Sequence, residues 1–379
     1  MKLCDKIREL KFFNCVYSDI SHIKKVAASI SGNADILVLG TGGSSLGSKA
    51  LIDFKSGFSG ERSKVQFLEN IDSRSFMNVV SKCNPDNTGV IIISKSGTTS
   101  ETLMLFMTLM TMWPDFNYSE KCVAITENSD QNYLRKIAML HDIKIVDHAP
   151  DIGGRFSVFS VVGLLPALLH GVDVDAFISG GKKMLLQAEE EPEALYSDLK
   201  DVCAAIKNGA THHVLFSYSD FLGSLGKWFM QLTAESLGKN ENFGITPISS
   251  IGTVDQHSML QLFLGGPNNK YYTFITQKEN IQTCKIKLQG SILEDHNMHE
   301  LMIAHQRATI DVLKNKTLAR SFEFEEINES AIGYMMMRFF IETVAIADEF
   351  NINPFDQPAV EEVKRLVSKY LESATKNVA

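Results

Sequence analysis

The chain lacks a basic surplus, a paired-cysteine signature and any apolar run long enough to span a bilayer. Its 379 residues carry 37 Lys and Arg against 45 Asp and Glu, a net charge of -8. The corresponding pI is near 5.7. Attachment to nucleic acid by phosphate contacts needs a dense cationic surface, so no nucleic-acid partner is expected. The six cysteines, at positions 4, 15, 83, 122, 203 and 284, contain no CxxC pair. Neither a zinc ribbon nor a disulfide framework is implied, and a reducing cytoplasm fits. The segment Met1 to Leu10 alternates charge and apolar character, unlike a secretion signal. Phe156 to Leu169 is the most apolar stretch, but it contains Pro166 and falls short of the roughly 20 residues a span requires. It reads as a buried helix, and no membrane partner is expected.

What the chain does have is apolar content sufficient for a large interior, 44% against 22% charged. At about 150 residues per domain, the length suggests two units. Short β-rich runs recur with helical stretches between them: Ile36 to Leu39, Val65 to Leu68, Val90 to Ile93, Val123 to Ile125 and Ile143 to Val146. That alternation predicts an α/β fold with a parallel sheet covered by helices. A second set follows at Val214 to Tyr218, a helix from Lys227 to Leu237, and Tyr271 to Ile275. The charged and helical text between His170 and Ala210, with Glu189, Glu190 and Glu191 before Pro192, reads as a solvated connection between domains. The predicted units are 1–180 and 181–379, the second with a C-terminal helical tail including Ala331 to Ala347 and a helix after Pro358.

Ser94-Lys95-Ser96-Gly97-Thr98-Thr99-Ser100-Glu101-Thr102 follows an apolar strand and opens a helix. Thr98 and Glu101 have capping-box spacing, and the unpaired N–H groups of a helix start attract anions. Read alone, this is more often an ordinary capped turn. Gly40-Thr41-Gly42-Gly43-Ser44-Ser45-Leu46-Gly47-Ser48 follows the first strand. A dinucleotide loop wants Gly where Ser45 stands, and a nucleotide-triphosphate loop wants Lys where Ser48 stands. Two hydroxyl- and glycine-rich turns at strand ends remain, a cradle suited to one small phosphorylated molecule.

Arg155, behind Gly153 and Gly154, is placed to stabilise charge on oxygen or to pair at the surface. Glu235 and Lys239, four apart, have the spacing of a helical salt bridge. His257 lies in the polar loop Gly252 to Ser258 and has the chemistry of a proton shuttle, although a lone His is usually structural. Lys364 alone is unremarkable. His299-Glu300 with His305 misses the i, i+4 spacing of a metalloprotease helix, and adjacent His212 and His213 point to opposite strand faces. No metal site is predicted.

Together, Gly42-Gly43-Ser44, the Ser94 to Thr102 run, Gly153-Gly154-Arg155, Glu235-Ser236-Leu237-Gly238-Lys239, Gly252 to His257 and Gln357-Pro358-Ala359-Val360-Glu361 through Lys364 resemble the glucose-6-phosphate isomerase family, in the family's order. The resemblance covers nearly the whole chain. It implies two sugar-isomerase (SIS) domains, each doubly wound, flanking one site. It also implies reversible isomerisation of glucose 6-phosphate and fructose 6-phosphate, in glycolysis and gluconeogenesis, by proton transfer between C2 and C1. By this resemblance Ser94, Ser96, Thr98 and Thr99 hold the sugar phosphate beside Gly43 and Ser44. Glu235 moves the proton, Arg155 stabilises the enediolate, and His257 and Lys364 assist ring opening. No cofactor is implied. A homodimer is, with His257 entering the neighbouring subunit's site. Ala359 and Val363 stand where the family usually has Gly. Two rivals stay open on the sequence: another sugar-phosphate isomerase, including one that also accepts mannose 6-phosphate, and a non-catalytic SIS module that binds a sugar phosphate.

Overall fold

The computed structural model describes residues 7, 9–60, 63–239, 241–278 and 283–376. Five parallel strands, β1 (Asp35–Leu39), β2 (Val65–Leu68), β3 (Thr88–Ile93), β4 (Cys122–Thr126) and β5 (Lys144–Asp147), form one sheet in the order β2-β1-β3-β4-β5. Four more, β6 (His212–Ser217), β7 (Thr246–Ile251), β8 (Lys270–Gln277) and β9 (Ala319–Phe324), form a second parallel sheet in the order β7-β6-β8-β9. Every residue of β3 and β4 is buried, because helices cover both faces of the sheet. The two sheets share one winding rule. In each, the first strand lies between the second and third, so the connections reverse direction between β1 and β3 and again between β6 and β8. In sheets of this kind ligands bind beyond the carboxyl ends of the strands at that reversal.

The expected strands and the α/β class are present, while β7 and β9 fall outside the predicted set. Both are edge strands with polar sequences. Pro247 sits within β7, a position open to proline because an edge strand has N–H groups that need no ladder partner.

The stretch between His170 and Ala210 is helical, as its charged, helical text implies, but the expectation that it is a solvated connection is overturned. It forms two amphipathic helices, Val174–Glu190 and Pro192–Lys207. Phe177, Met184, Leu185 and Ala188 of the first are buried against the helix Glu329–Glu349, and the charged residues read as linker are only its outer face. The two helices meet backbone to backbone. A Cβ on Gly180 would lie 1.8 Å from the Ser330 carbonyl oxygen, and one on Gly333 would lie 2.0 Å from that of Phe177.

Glu329–Glu349 is long and apolar enough to cross a membrane by composition, but Met335 to Met337 and Phe339 to Ile341 are buried in the protein core. One apolar cluster runs through both halves, joining Phe156, Phe159 and Phe177 to Trp228 and Phe340. Phe156 itself lies in a short turn, and the buried helix expected from that position begins at Val161, capped by Ser160.

Candidate active site

The loops after β1 and β3 emerge side by side at the first sheet's reversal point. A Cβ on Gly40 would come within 3.0 Å of the Ile93 carbonyl oxygen, so glycine lets the two strand ends approach. The Ser94 loop is fixed from β4 and beyond. Ser94 N donates to the Ile125 carbonyl at 3.1 Å, Thr126 Oγ1 donates to the Ser94 carbonyl at 2.6 Å, and Leu134 N donates to the Gly97 carbonyl at 3.0 Å. Gly97 has φ +64°, and any Cβ there would collide with Asn132 Oδ1 at 1.7 Å.

Within this loop the hydroxyls pair with one another. Ser94 Oγ and Thr99 Oγ1 are 2.9 Å apart, as are Ser96 Oγ and Thr98 Oγ1. The predicted capping box is absent: the helix Ser100–Met112 has Thr99 at its N-cap with no side-chain cap, and Glu101 accepts from Ser100 Oγ instead. The physical reason is that Thr98 is committed to Ser96, outside the helix. The consequence is a helix start with its N–H groups uncapped and a row of hydroxyls beside it, which suits an anion better than the capped version would. The Lys95 ammonium is engaged outside the row of hydroxyls, donating to the Pro150 carbonyl.

Gly43 links the two halves of the site. Its Cβ would sit 2.2 Å from the Gly154 carbonyl carbon, so the two loops pack directly, and Ser157 Oγ donates to the Gly43 carbonyl at 3.2 Å. Arg155 follows at once and is 4% exposed. Its guanidinium is fully spoken for: Nε donates to Ser236 Oγ at 2.8 Å, Nη1 pairs with Glu235 Oε1 at 2.9 Å, and Nη2 donates to the carbonyls of Pro354 and, at 3.1 Å, Asp356. Nη1 also reaches Gln357 Oε1 at 3.4 Å. Burial pulls the Arg155 pKa below its ordinary value, and the Glu235 carboxylate opposes that shift.

Glu235 projects from the end of the helix Gly223–Leu237, half-buried, and accepts a hydrogen bond from Gln231 Nε2 at 3.0 Å. The same Gln231 amide lies against Gly42, whose Cβ would meet Nε2 at 3.1 Å, and its Oε1 is buried with no partner. Lys239 does not pair with Glu235. Its ammonium donates to the Asp356 carbonyl and pairs with Asp356 Oδ1 at 3.2 Å.

The fold therefore sets the loop of Gly43 and Ser44 beside the strand end that leads into Ser94, Ser96, Thr98 and Thr99, and against the turn that carries Arg155, which pairs with Glu235. His257 and Lys364 stand on two further helices. His257 is exposed on the short helix Val254–Ser258, in a loop held by Asp255 on Ile251 N and by Gln256 on Tyr218. Lys364, on the exposed helix Glu361–Lys376, pairs with Glu361 at 2.7 Å. Among the described residues, no hydrogen bond or ion pair joins either to the Arg155 cluster. Gln231, Ser236, Pro354 and Asp356 are site residues the sequence reading did not single out. Gln231 was findable, being one helical turn before Glu235. Carbonyls such as that of Pro354 carry no residue-type signal. The near-metalloprotease pattern has an ordinary explanation, for Glu300 forms a capping box with Asn297 at the start of the helix Met298–Lys314.

Comparison with known proteins follows the same lines. Residues 23–378 match the family model described as phosphoglucose isomerase. A glucose-6-phosphate isomerase of Rubrobacter xylanophilus is 32% identical over 358 residues, covering 88% of this chain and 82% of the relative. One from Methanocaldococcus jannaschii is 32% identical over 358 residues, covering 89% and 84%. The crystal structure of a glucose-6-phosphate isomerase from Chlamydia trachomatis superposes with a TM-score of 0.74 at 21% identity, covering 93% of this chain and 73% of the other, which speaks to the fold.

Proposed function

The chain belongs to the phosphoglucose isomerase family, and we propose that it interconverts glucose 6-phosphate and fructose 6-phosphate with Glu235 as the proton carrier and Arg155 as the charge opposite it. The observation that carries this reading is the 2.9 Å contact between the half-buried Glu235 carboxylate and the buried Arg155 guanidinium, at the edge of the hydroxyl-lined loops. Isomerisation at a carbonyl removes a proton from C2 and leaves negative charge spread over the C1 and C2 oxygens. A fixed cation held by five partners needs no reorganisation as that charge grows. Glu235 takes the C2 proton and delivers it to C1. Because it leaves and re-enters the same substrate, no redox partner or cofactor is required.

The sugar phosphate binds at Ser94, Ser96, Thr98 and Thr99, with the Gly43-Ser44 turn closing over it. The exposed but firmly anchored His257 serves the neighbouring subunit of a homodimer, and Lys364 joins it in opening the sugar ring. The two sheets belong to two SIS-type units dividing near residue 180. The protein works in the cytoplasm, apart from membranes and nucleic acid. The described cysteines Cys15, Cys83, Cys122, Cys203 and Cys284 form no disulfide, as a reducing compartment favours.

The test is isotopic. Fructose 6-phosphate incubated with the protein in heavy water yields glucose 6-phosphate labelled at C2, because the carboxyl proton exchanges with solvent between removal and return. Absence of turnover would sink the assignment; turnover with no label at all would remove solvent-exchanging Glu235 as the carrier.

A further inference from the structure

We infer that Asp356 is a positioning residue for the proton-transfer site, holding the Lys239 ammonium away from Glu235 while its carbonyl braces Arg155. This rests on the reading of Glu235 as the base.

Glu235 and Lys239 stand four apart at the end of one helix, the spacing at which such side chains ordinarily pair. Here the pairing is not made. Glu235 is taken by Arg155 and Gln231, and Lys239 is drawn to Asp356, which offers both its main-chain carbonyl and Oδ1. The Lys239 side chain is only 9% exposed, so its charge needs a partner close by. The charged groups acting on it are Asp356, from the segment before the last helix, Arg155, from the turn after Gly153-Gly154, and Glu235, from its own helix; burial lowers its pKa and Asp356 works against that shift. With the Asp356 charge removed, the carboxylate left to neutralise Lys239 is Glu235.

Asp356 is held in turn. Its Oδ2 accepts from Asn353 Nδ2 at 3.0 Å, and Asn353 Oδ1 accepts from Phe355 N at 3.0 Å. The Phe355 ring packs 5.7 Å from that of Phe156, the residue after Arg155. One short segment thus presents the Pro354 and Asp356 carbonyls to Arg155 and a carboxylate to Lys239. It sorts two cations, leaving only Arg155 against the base.

The test is Asp356→Asn, which keeps the shape, the carbonyl and an acceptor for Asn353. Lys239 then turns to Glu235. A second cation favours the ionised carboxylate, so its pKa falls, it becomes a weaker base, and the acid limb of the kcat profile moves to lower pH. The expected result is kcat down about tenfold or more with KM within about twofold. Adding Lys239→Gln to Asp356→Asn returns the limb to its wild-type position and recovers most of kcat. A merely structural role predicts no rescue and no shift of the limb, and either finding, or normal kcat in Asp356→Asn, overturns the inference. Asp356→Glu keeps the charge and covers the case in which Asp356→Asn does not fold: the limb stays in place, and a limb shifted down overturns the proposal. Glu235→Gln measured in parallel separates the two levels. If it turns over normally, the base assignment has failed; if it is inactive while Asp356→Asn is normal, only the role of Asp356 has failed.

Discussion

The Ser94–Thr99 loop and the Arg155 cluster flank the loop after β1, which meets the end of β3 at Gly40 and the Arg155 turn at Gly43, but they hold their shapes by different means. The loop is neutral at its working face. Its hydroxyls pair in twos, its backbone is pinned by Thr126 and Leu134, and its one lysine is turned away to Pro150. The cluster is the reverse, two cations and two carboxylates whose partners come from three distant stretches of chain. A neutral cradle can bind and release an anion without leaving a buried charge stranded when empty. A site that must stabilise charge appearing and vanishing on substrate needs its own charges fixed beforehand, and fixing buried charge takes many partners.

The comparison breaks most sharply at Glu235. Glu235→Gln keeps the Gln231 neighbour and the volume, so substrate binding stays near normal while turnover falls by about a hundredfold or more. Steady-state kinetics with a parallel binding titration checks this, and near-normal turnover would remove Glu235 from the mechanism. On the neutral side, Ser96→Ala with Thr99→Ala removes two hydroxyls from the loop and leaves Arg155 untouched. KM rises about tenfold and kcat changes by less than about threefold, the scale of lost hydrogen bonds to an anion. A fall in kcat alone would dislodge the phosphate from this loop.

The smallest effect concerns stability. His213 is buried, with Nε2 2.8 Å from Thr273 Oγ1 and its ring 4.2 Å from that of Tyr271. Burial holds its pKa well below the ordinary 6.5, so the folded protein keeps it neutral while the unfolded chain takes up a proton. The unfolded state then binds more protons, and stability declines as pH falls below about 6.5, by at most about 1.4 kcal/mol per pH unit for this group. Urea unfolding at two pH values reads the slope, and His213→Gln flattens it; an unchanged slope would mean His213 is charged in the fold.

Much of this was legible in the residues. The apolar runs of β1, β3, β4, β6 and β8 announce buried parallel strands, and the Gly- and Ser-rich turns after β1 and β3 announce the mouth between them. β7 and β9 escaped notice because edge strands need no apolar alternation, and in β9 the buried Arg320 is compensated by Glu342 and Asp198. Periodicity also gave way to charge in Val174–Glu190, where Gly180 and Gly181 carry the packing that larger residues would have signalled. At the site, side-chain chemistry could be read and its supports could not. Nothing in Pro354 or Asp356 as letters says that their carbonyls meet Arg155, and the spacing of Glu235 and Lys239 points to a bond the fold declines to make.

Arg155 Nη2 reaches a carbonyl 199 residues further along the chain. During synthesis, therefore, the residues of the first sheet and its hydroxyl-rich turns are all made long before the guanidinium has its anchors. Until Pro354 and Asp356 are made, two of the carbonyls that hold the guanidinium are missing. On the proposed reading, the arginine opposite Glu235 is fixed only once the segment from Pro354 to Gln357 has docked, so turnover reports that this late segment is in place.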